Sequence, residues 1–176
     1  MDKIVLIECP KFTDDRGVFY ESYNKDILSS KYNIDKDFVV DNHSISHKNV
    51  IRGLHYQWEP KVDKLVRVSN GSIFDIVVDI RKNSDKFGSV YTFLLTAKNN
   101  KQLWIPNGFA HGFLSLEDNT HVQYKFTKIY NPINCGTIYP FDETLNIDWP
   151  IQGIPICSVK DLTSESFLDY CKSPKF

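Results

Sequence analysis

The chain has 176 residues, a formal net charge of −1 and 14% aromatic side chains. This length is typical of one domain with a sizeable core, so we expect a single domain over residues 1–176. The balanced charge gives no basic surplus that would indicate binding to nucleic acid or an anionic membrane, and no apolar run approaches the ~20 residues that span a bilayer. The aromatic content favours a packed β-rich fold or an aromatic-lined pocket.

The N-terminal stretch and the cysteines both bear on where the protein is found. The stretch MDKIVLIECP carries an acid early, and its apolar part is too short for a signal peptide. The cysteines form no CxxC pair and match no zinc spacing; they are Cys9, Cys135, Cys157 and Cys171. We therefore expect a cytoplasmic protein whose cysteines stay reduced.

Helical patterns are scarce in this chain. The stretch YNKDILSSKYN, residues 23–33, is the first candidate helix. The second is KDLTSESFLDYCK at residues 160–172, where Ser166 follows Thr163 by three residues and gives only a weak capping signal. Most other segments are short alternating or apolar runs broken by turn residues, a pattern that is typical of β-strands.

The strand-like runs begin with IRGLHYQ at residues 51–57. The stretch KLVRVSNGSIFDIVVDIR, residues 64–81, has two β-rich runs around Asn70-Gly71, which is a strong hairpin signal. We place NGFAHGF, residues 107–113, between strands. The remaining runs are SVYTFLLTA, KQLWIP, FLSL and HVQYKFTKIY. Because such runs recur about every ten residues, the sequence predicts an all-β antiparallel jelly roll with a few short helices.

Several polar residues fall within or beside these runs. One face of an antiparallel sheet meets the core, so a charge on that face needs a reason. The RGLH motif puts Arg52 and His55 near one another, and Gly53 allows backbone or a ligand to approach closely. Each such residue alone is commonly a surface residue or a satisfied sheet residue. The others are Lys64, His111, Tyr124, Tyr130 and Asp161.

Metal binding is the first alternative that these residues suggest. A metal-binding jelly roll of the cupin kind uses an HxH pair, a nearby Glu and a distant His. Here the HxH position reads His55-Tyr56-Gln57, and no Glu follows at the matching spacing. Lys64 lies close downstream, where its cation would oppose a metal ion, so we expect no metal. The sequence also has no GxSxG elbow and no glycine-rich phosphate loop.

Six motifs, covering nearly the whole chain, resemble those of dTDP-4-dehydrorhamnose 3,5-epimerases in the same order. RGLHYQ combined with IPNGFAHGF is the specific part of this resemblance. The motifs are FTDDRGVFYES (12–22), DNHSISHKNVIRGLHYQ (41–57), KLVRVSNGSIFDIVVDIR (64–81), QLWIPNGFAHGF (102–113), YKFTKIYNP (124–132) and IDWP with CSVKD (147–161). The resemblance implies a cupin-like, cofactor-free epimerase of a nucleotide-diphospho-4-keto-6-deoxy-sugar, used in surface-polysaccharide synthesis. It also implies a homodimer with exchanged N-terminal strands.

The resemblance implies four catalytic residues. A ketone at C4 acidifies the protons on C3 and C5, and His55 matches the base that removes them. Asp161 matches its partner, which fixes the tautomer and supports the imidazolium. Lys64 matches a cation facing the C4 oxygen, where a fixed positive charge stabilises an enolate. Tyr130 matches the phenol that returns a proton from the opposite face.

The resemblance also implies a set of substrate-binding residues. Arg16 suits a phosphate oxygen, Phe19 suits stacking on the base, and Glu21 suits a hydrogen bond from the base N–H. Arg52 suits sugar or diphosphate oxygens because its guanidinium is a planar fork. The remaining candidates are Asn42, Gln57, His111 and Tyr124.

Two departures from the family pattern leave the substrate open. The family often has Gln where this chain has Val40, which removes a polar contact on the nucleotide side. The family usually has Trp or Tyr near the position of Pro140, although Tyr139 and Phe141 flank it here. The alternatives are a GDP-linked 4-keto heptose as substrate, inversion at C3 only, a metal-dependent cupin, and a non-catalytic protein that binds sugar nucleotides.

Overall fold

The computed structural model describes residues 3–176. Met1 and Asp2, which begin the stretch where we expect no signal peptide, lie outside the described residues. The helices are α1 (Lys25–Tyr32), α2 (Val159–Leu162) and α3 (Phe167–Lys172). The strands are β1 (Val5–Glu8), β2 (Lys11–Asp14), β3 (Gly17–Tyr20), β4 (Val40–Ser46), β5 (Ile51–Gln57), β6 (Lys64–Asn70), β7 (Ser72–Asp79), β8 (Val90–Thr96), β9 (Lys101–Ile105), β10 (Phe109–Ser115), β11 (Thr120–Phe126) and β12 (Cys135–Thr137).

Two five-stranded antiparallel sheets pack face to face. The first sheet has the strand order β1-β9-β6-β11-β4, and the second has the order β12-β5-β10-β7-β8. Strands β2 and β3 form a separate hairpin. From β4 to β11 the chain crosses to the opposite sheet at every step except between β7 and β8, which pair directly. This is the topology of a jelly roll, so the predicted fold class is confirmed.

Apolar side chains fill three buried clusters. The cluster between the sheets takes side chains from both, including Val66 of the first and Phe113 of the second. A second cluster covers the outer face of the second sheet, where Trp149 and Tyr170 of the C-terminal segment pack on it. The third cluster lies between α1 and the first sheet, and Leu28 of α1 packs in it. Because both faces of each sheet are covered over much of their area, an inward-facing polar residue is unusual and informative.

The strands around Asn70-Gly71 form as predicted, but the predicted hairpin is wrong. β6 pairs with β9 and β11 in the first sheet, whereas β7 pairs with β8 and β10 in the second. Gly71 has a φ of 75°, and a Cβ there would lie 2.5 Å from Thr120 Oγ1. The dipeptide therefore marks a sharp change of direction between sheets, and it carries no information on which strands pair afterwards.

Two other predicted elements differ in detail. His111 lies inside β10, because only Asn107 and Gly108 of the NGFAHGF segment form a turn. The C-terminal candidate is two helices, since Ser166 accepts a hydrogen bond from Asp169 N and begins α3. The first candidate forms as predicted, as α1. Within residues 3–176, none of the helices combines the length and the apolar character needed to cross a membrane.

An extra residue in β5 puts Arg52 and His55 on the same face. His111 of β10 pairs with His55, and Phe113 pairs with Arg52. The three-residue advance from Arg52 to His55 along β5 therefore lies opposite a two-residue advance along β10. Strict alternation would send Arg52 and His55 to opposite faces. The bulge turns both toward the interior, on the side where Phe113 packs in the core.

Two glycines permit the close approach of β5 and β10 at this bulge. Gly53 has a φ of 139°, and a Cβ on it would lie 2.5 Å from Gly112 Cα. A Cβ on Gly112 would lie 2.8 Å from the Arg52 carbonyl oxygen. The two backbones are therefore closer than any side chain between them would allow.

We predict that Gly112→Ala lowers the free energy of unfolding by about 1–3 kcal/mol, the usual cost of overpacking. The added methyl group must displace β5, and with it Arg52 and His55. Thermal unfolding of the variant and the wild type, followed by circular dichroism, measures the loss. An unchanged melting temperature would show that the two strands separate without cost.

Candidate active site

His55 and Asp161 form a close pair at one end of the space between the sheets. The His55 Nε2 lies 2.7 Å from the Asp161 Oδ1. The imidazole side chain is 43% exposed, whereas the carboxylate is 5% exposed. A ligand can therefore reach the ring while the carboxylate stays behind it. With Nε2 held by Asp161, Nδ1 is the ring nitrogen available to exchange a proton with a ligand.

The C-terminal segment carries Asp161 to this position. Ile156 runs parallel to the start of β5, where its carbonyl oxygen accepts a backbone hydrogen bond at 2.9 Å. The chain then begins α2, in which Asp161 N donates to the capping Ser158 Oγ at 3.1 Å. Burial raises the pKa of Asp161, but hydrogen bonds with His55 and Ser158 outweigh that effect, and the pKa is lowered overall. Asp161 is ionised at neutral pH and stabilises a positive charge on His55.

Lys64 brings a buried cation to the same place from the first sheet. Its ammonium donates to the His55 carbonyl oxygen at 3.1 Å and lies 5.7 Å from the centroid of the Phe126 ring. The residue is 9% exposed. Burial lowers the pKa of Lys64 to about 8, against the opposing attraction of Asp75. The site thus holds a positive charge at neutral pH with little water to screen it.

A second histidine–carboxylate pair lies deeper between the sheets. The His111 Nε2 is 2.9 Å from the Asp75 Oδ2. Asp75 is fully buried, and its Oδ1 has no hydrogen-bond partner among residues 3–176. Burial raises the pKa of Asp75 and lowers that of His111, in both cases against the attraction between them. Desolvation therefore favours the neutral forms of both Asp75 and His111.

Strands β4 and β11 supply the wall that faces the second sheet. Tyr124 lies opposite Asn42 across β11 and β4, and its ring centroid is 5.5 Å from that of Phe126. Burial raises the pKa of Tyr124, so the phenol stays neutral. Arg52 Nε donates to Ser46 Oγ at 3.2 Å and links β5 to β4. The structure thus brings Asn42, Arg52 and Tyr124 to the interior side of the sheets.

Tyr130 lies on the loop between β11 and β12, because β11 ends at Phe126. Its phenol oxygen is 3.3 Å from Cys135 Sγ, and the hydrogen bond with this thiol raises the pKa of Tyr130. Thr137 pairs directly with His55 across β12 and β5. Since Cys135 is two residues before Thr137 on one strand, the thiol lies on the same face, roughly 7 Å along from the neighbour of His55.

Gln57 faces the loop that carries Tyr130, and backbone groups occupy its amide. The Gln57 Nε2 donates to Pro60 O at 2.9 Å and to Ile129 O at 3.2 Å. Its Oε1 accepts a hydrogen bond from Asn131 N at 2.9 Å. The expected substrate contact of Gln57 would have to compete with these partners for both N–H groups.

Three expected nucleotide-binding residues lie apart from His55 in this chain. Arg16 and Phe19 belong to the β2–β3 hairpin, and their exposed fractions are 90% for the Arg16 side chain and 70% for Phe19. Glu21 follows the hairpin directly. Their nearest partners are local: Asp14 for Arg16, Phe12 for Phe19 and Asn24 for Glu21. The structure therefore does not gather these three side chains around His55.

Two residues at the site are not identified by the sequence patterns. Asp75 interrupts the apolar strand SIFDIVVD with a buried carboxylate, and that interruption is the signal that could have identified it. Cys135 contacts Tyr130, yet nothing in the sequence separates it from the other three cysteines. Across residues 3–176, no three His, Cys, Asp or Glu side chains are grouped so that they could hold a metal ion.

Comparison with known proteins shows to which family the chain belongs. The family model described as dTDP-4-dehydrorhamnose 3,5-epimerase matches residues 1–169. The chain belongs to the dTDP-4-dehydrorhamnose 3,5-epimerase family. The dTDP-4-dehydrorhamnose 3,5-epimerase of Escherichia coli (strain K12) is 48% identical over 163 residues, which cover 92% of this chain and 88% of that relative. The resemblance read from the motifs is thus confirmed.

Solved structures of epimerases share the fold. The dTDP-6-deoxy-D-glucose-3,5-epimerase of Legionella pneumophila, in complex with dTDP-4-keto-L-rhamnose, has a TM-score of 0.92 and 40% identity, covering 96% of this chain and 89% of that chain. A 3'-monoepimerase of Streptomyces bikiniensis, in complex with dTDP-quinovose, has a TM-score of 0.91 and 26% identity, covering 96% of this chain and 86% of that chain. Enzymes of this fold therefore include both double and single epimerases.

We predict that Lys64→Met stabilises the fold at neutral pH. An unfolded lysine titrates near 10.4, whereas burial lowers the pKa of Lys64 to about 8, so protonation opposes folding below the folded-state value. After the loss of the hydrogen bond to His55 O, the net gain at pH 7 should be about 1–2 kcal/mol.

The gain should shrink as the pH rises from about 8 towards 10.4, where lysine becomes neutral in both folded and unfolded chains. Urea unfolding of the two proteins at several pH values measures this dependence. A variant that is less stable than the wild type at pH 7 would show that the ammonium is well solvated in the folded protein.

Proposed function

We propose that the protein is a dTDP-4-dehydrorhamnose 3,5-epimerase, which inverts C3 and C5 of a dTDP-linked 4-keto-6-deoxy-hexose. The observation that carries the proposal is the close imidazole–carboxylate pair of His55 and Asp161 with the buried ammonium of Lys64 beside it. Membership of the epimerase family supports the reaction. The dTDP-4-keto-L-rhamnose in the Legionella structure supports the substrate class.

We assign proton removal to His55. In a sugar of glucose configuration the hydrogens on C3 and C5 lie on the same ring face, and both carbons are adjacent to the C4 ketone. One base can therefore serve both positions. The His55 Nδ1 takes the proton, Asp161 stabilises the resulting imidazolium, and the electron pair of the broken C–H bond moves onto the C4 oxygen.

We assign stabilisation of the C4 oxygen to Lys64. That oxygen carries a partial charge in the ketone and close to a full negative charge in the enolate. A fixed cation therefore stabilises the transition state more than the bound substrate, which raises turnover rather than affinity alone. The burial of Lys64 strengthens the effect, because little water screens its charge.

We assign proton return to Tyr130, from the ring face opposite His55. The phenol donates a proton to the carbon, the C4 ketone re-forms, and the configuration at that carbon is inverted. His55 then releases its proton to solvent and Tyr130 regains one from solvent, which resets the site. Protons move but no electrons leave the substrate, so this scheme requires no redox cofactor. His111, Arg52, Asn42 and Tyr124 are assigned to sugar and diphosphate contacts.

We further propose a homodimer in which exchanged N-terminal strands complete the nucleotide end of each site. Arg16 and Phe19 lie on the β2–β3 hairpin and are largely exposed to solvent in the single chain. A guanidinium can bind a diphosphate, and an exposed aromatic ring can stack on a base. The hairpin is therefore suited to contact the substrate that is bound by the partner subunit. We also propose a cytoplasmic location, which agrees with four unpaired cysteines.

Inversion at C3 alone is the second candidate. The likeness to the Streptomyces bikiniensis 3'-monoepimerase favours it, whereas the higher identity to the Escherichia coli 3,5-epimerase favours double inversion. Deuterium at C5 as well as C3 after reaction in D₂O would distinguish the two. The dTDP-sugars in both solved structures favour dTDP over a GDP-linked heptose.

We predict that His55→Ala abolishes exchange of solvent deuterium into dTDP-4-keto-6-deoxyglucose. Without the imidazole no group at the site can accept the C3 or C5 proton at a useful rate. NMR spectra of the sugar after incubation in D₂O measure the exchange, and circular dichroism verifies folding. Substantial exchange by a folded variant would remove His55 from the scheme.

We predict a different result for Tyr130→Phe. Abstraction by His55 should continue, so deuterium still enters at C3, but delivery from the opposite face is lost. The yield of doubly inverted product should fall by about 10²-fold or more, the usual size of a general-acid contribution. The same NMR experiment separates exchange from inversion. An unchanged rate of double inversion would show that Tyr130 only packs against the sheet.

A further inference from the structure

The loop that carries Tyr130 is held by hydrogen bonds rather than by burial. Tyr130 is 52% exposed, and its apolar neighbours Ile129 and Ile133 are 72% and 83% exposed. Exposed side chains contribute little apolar burial, and segments of this kind open readily. A group that must deliver a proton to one face of a sugar therefore needs another source of rigidity.

Gln57 supplies bonds on both sides of Tyr130. Its Nε2 donates to the carbonyl oxygen of Ile129, the residue before Tyr130, at 3.2 Å. Its Oε1 accepts from the N–H of Asn131, the residue after Tyr130, at 2.9 Å. The second N–H of the amide reaches Pro60 O at 2.9 Å. One side chain thus fixes both peptide groups that flank the phenol.

The anchor itself is rigid and correctly placed. Gln57 is 8% exposed and lies at the end of β5, the strand that also carries His55. Across β5 and β12, Gln57 pairs directly with Cys135, whose thiol lies 3.3 Å from the Tyr130 phenol oxygen. Both the backbone and the hydroxyl of Tyr130 are therefore held in place relative to β5, the strand that carries His55.

We infer that Gln57 is a positioning residue for Tyr130, rather than a contact for the substrate. The inference rests on the proposed function, in which Tyr130 delivers the proton. Both N–H groups of the Gln57 amide are used by backbone carbonyls, so no donor is left for a sugar or phosphate oxygen. Gln57 contributes to the reaction by fixing the distance and angle between the Tyr130 phenol and the face of the sugar opposite His55.

The test is Gln57→Met, which keeps the side-chain length and removes all three hydrogen bonds. Deuterium exchange at C3 should stay close to the wild-type rate, because His55 and Asp161 are unchanged. Double inversion should fall by about 10- to 100-fold, since misplacement of a catalytic group by an ångström has an effect of that order. Gln152→Met, on an exposed loop, is the matched control and should behave as the wild type.

A double-mutant cycle with Tyr130→Phe separates positioning from substrate binding. If Gln57 acts through Tyr130, adding Gln57→Met to Tyr130→Phe should have little further effect. A raised KM, or an equal loss in the Tyr130→Phe background, would mean that Gln57 contacts the substrate and would overturn the inference. Should Gln57→Met fold poorly, Gln57→Glu keeps the acceptor for Asn131 N and removes both donors, and the same comparison applies.

A readout independent of activity uses Cys135. Release of the loop should expose this thiol, so iodoacetamide should alkylate Cys135 faster in Gln57→Met than in the wild type, as followed by peptide mass spectrometry. Equal alkylation rates in the two proteins would overturn the inference. If the wild-type protein exchanged no deuterium, the proposed function would fail, while the alkylation rates would still decide whether Gln57 holds the loop.

Discussion

The site depends on the extra residue that β5 inserts between Arg52 and His55. The neighbouring Leu54 and Tyr56 are buried in the cluster on the outer face of the second sheet. A strand without the bulge could keep those two side chains buried only by turning one of the two polar residues outward. Burial of Leu54 and Tyr56 therefore fixes the register, and the close backbone contact of Gly53 with Gly112 makes that register possible.

The same interior carries a conflict between stability and chemistry. A cation at Lys64 and a carboxylate at Asp75 are both withdrawn from water, and burial shifts the pKa of each towards its neutral form. An apolar pair would pack there with less cost. A buried charge that opposes folding is the expected mark of a functional residue, which agrees with the role proposed for Lys64. The rim pair of His55 and Asp161 avoids this conflict because the imidazole remains partly exposed.

Local sequence patterns identify the strands from β5 to β11, but they single out none of β1 to β4 or β12 and predict strand partners poorly. Alternation identifies β6 and β7, but their separation into two sheets depends on partners far along the chain, such as β11. The site shows the same limit. His55 and Asp161 are 106 residues apart, and Gln57 and Ile129 are 72 apart, so no local pattern links them. Family resemblance supplied the first pair; only the folded structure reveals that Gln57 is engaged by the loop backbone.

The proposed base and the proposed acid are held in place by different means, and this difference bears on how one fold can support both double and single epimerisation. His55 sits on a central strand with a buried carboxylate behind it, so its position is costly to change. Tyr130 sits on an exposed loop whose place depends on a few hydrogen bonds from Gln57 and Cys135. We infer that substitutions near this loop can alter which carbon receives a proton without disturbing abstraction. Double and single epimerases with nearly the same backbone are then expected to differ on the acid side of the sugar.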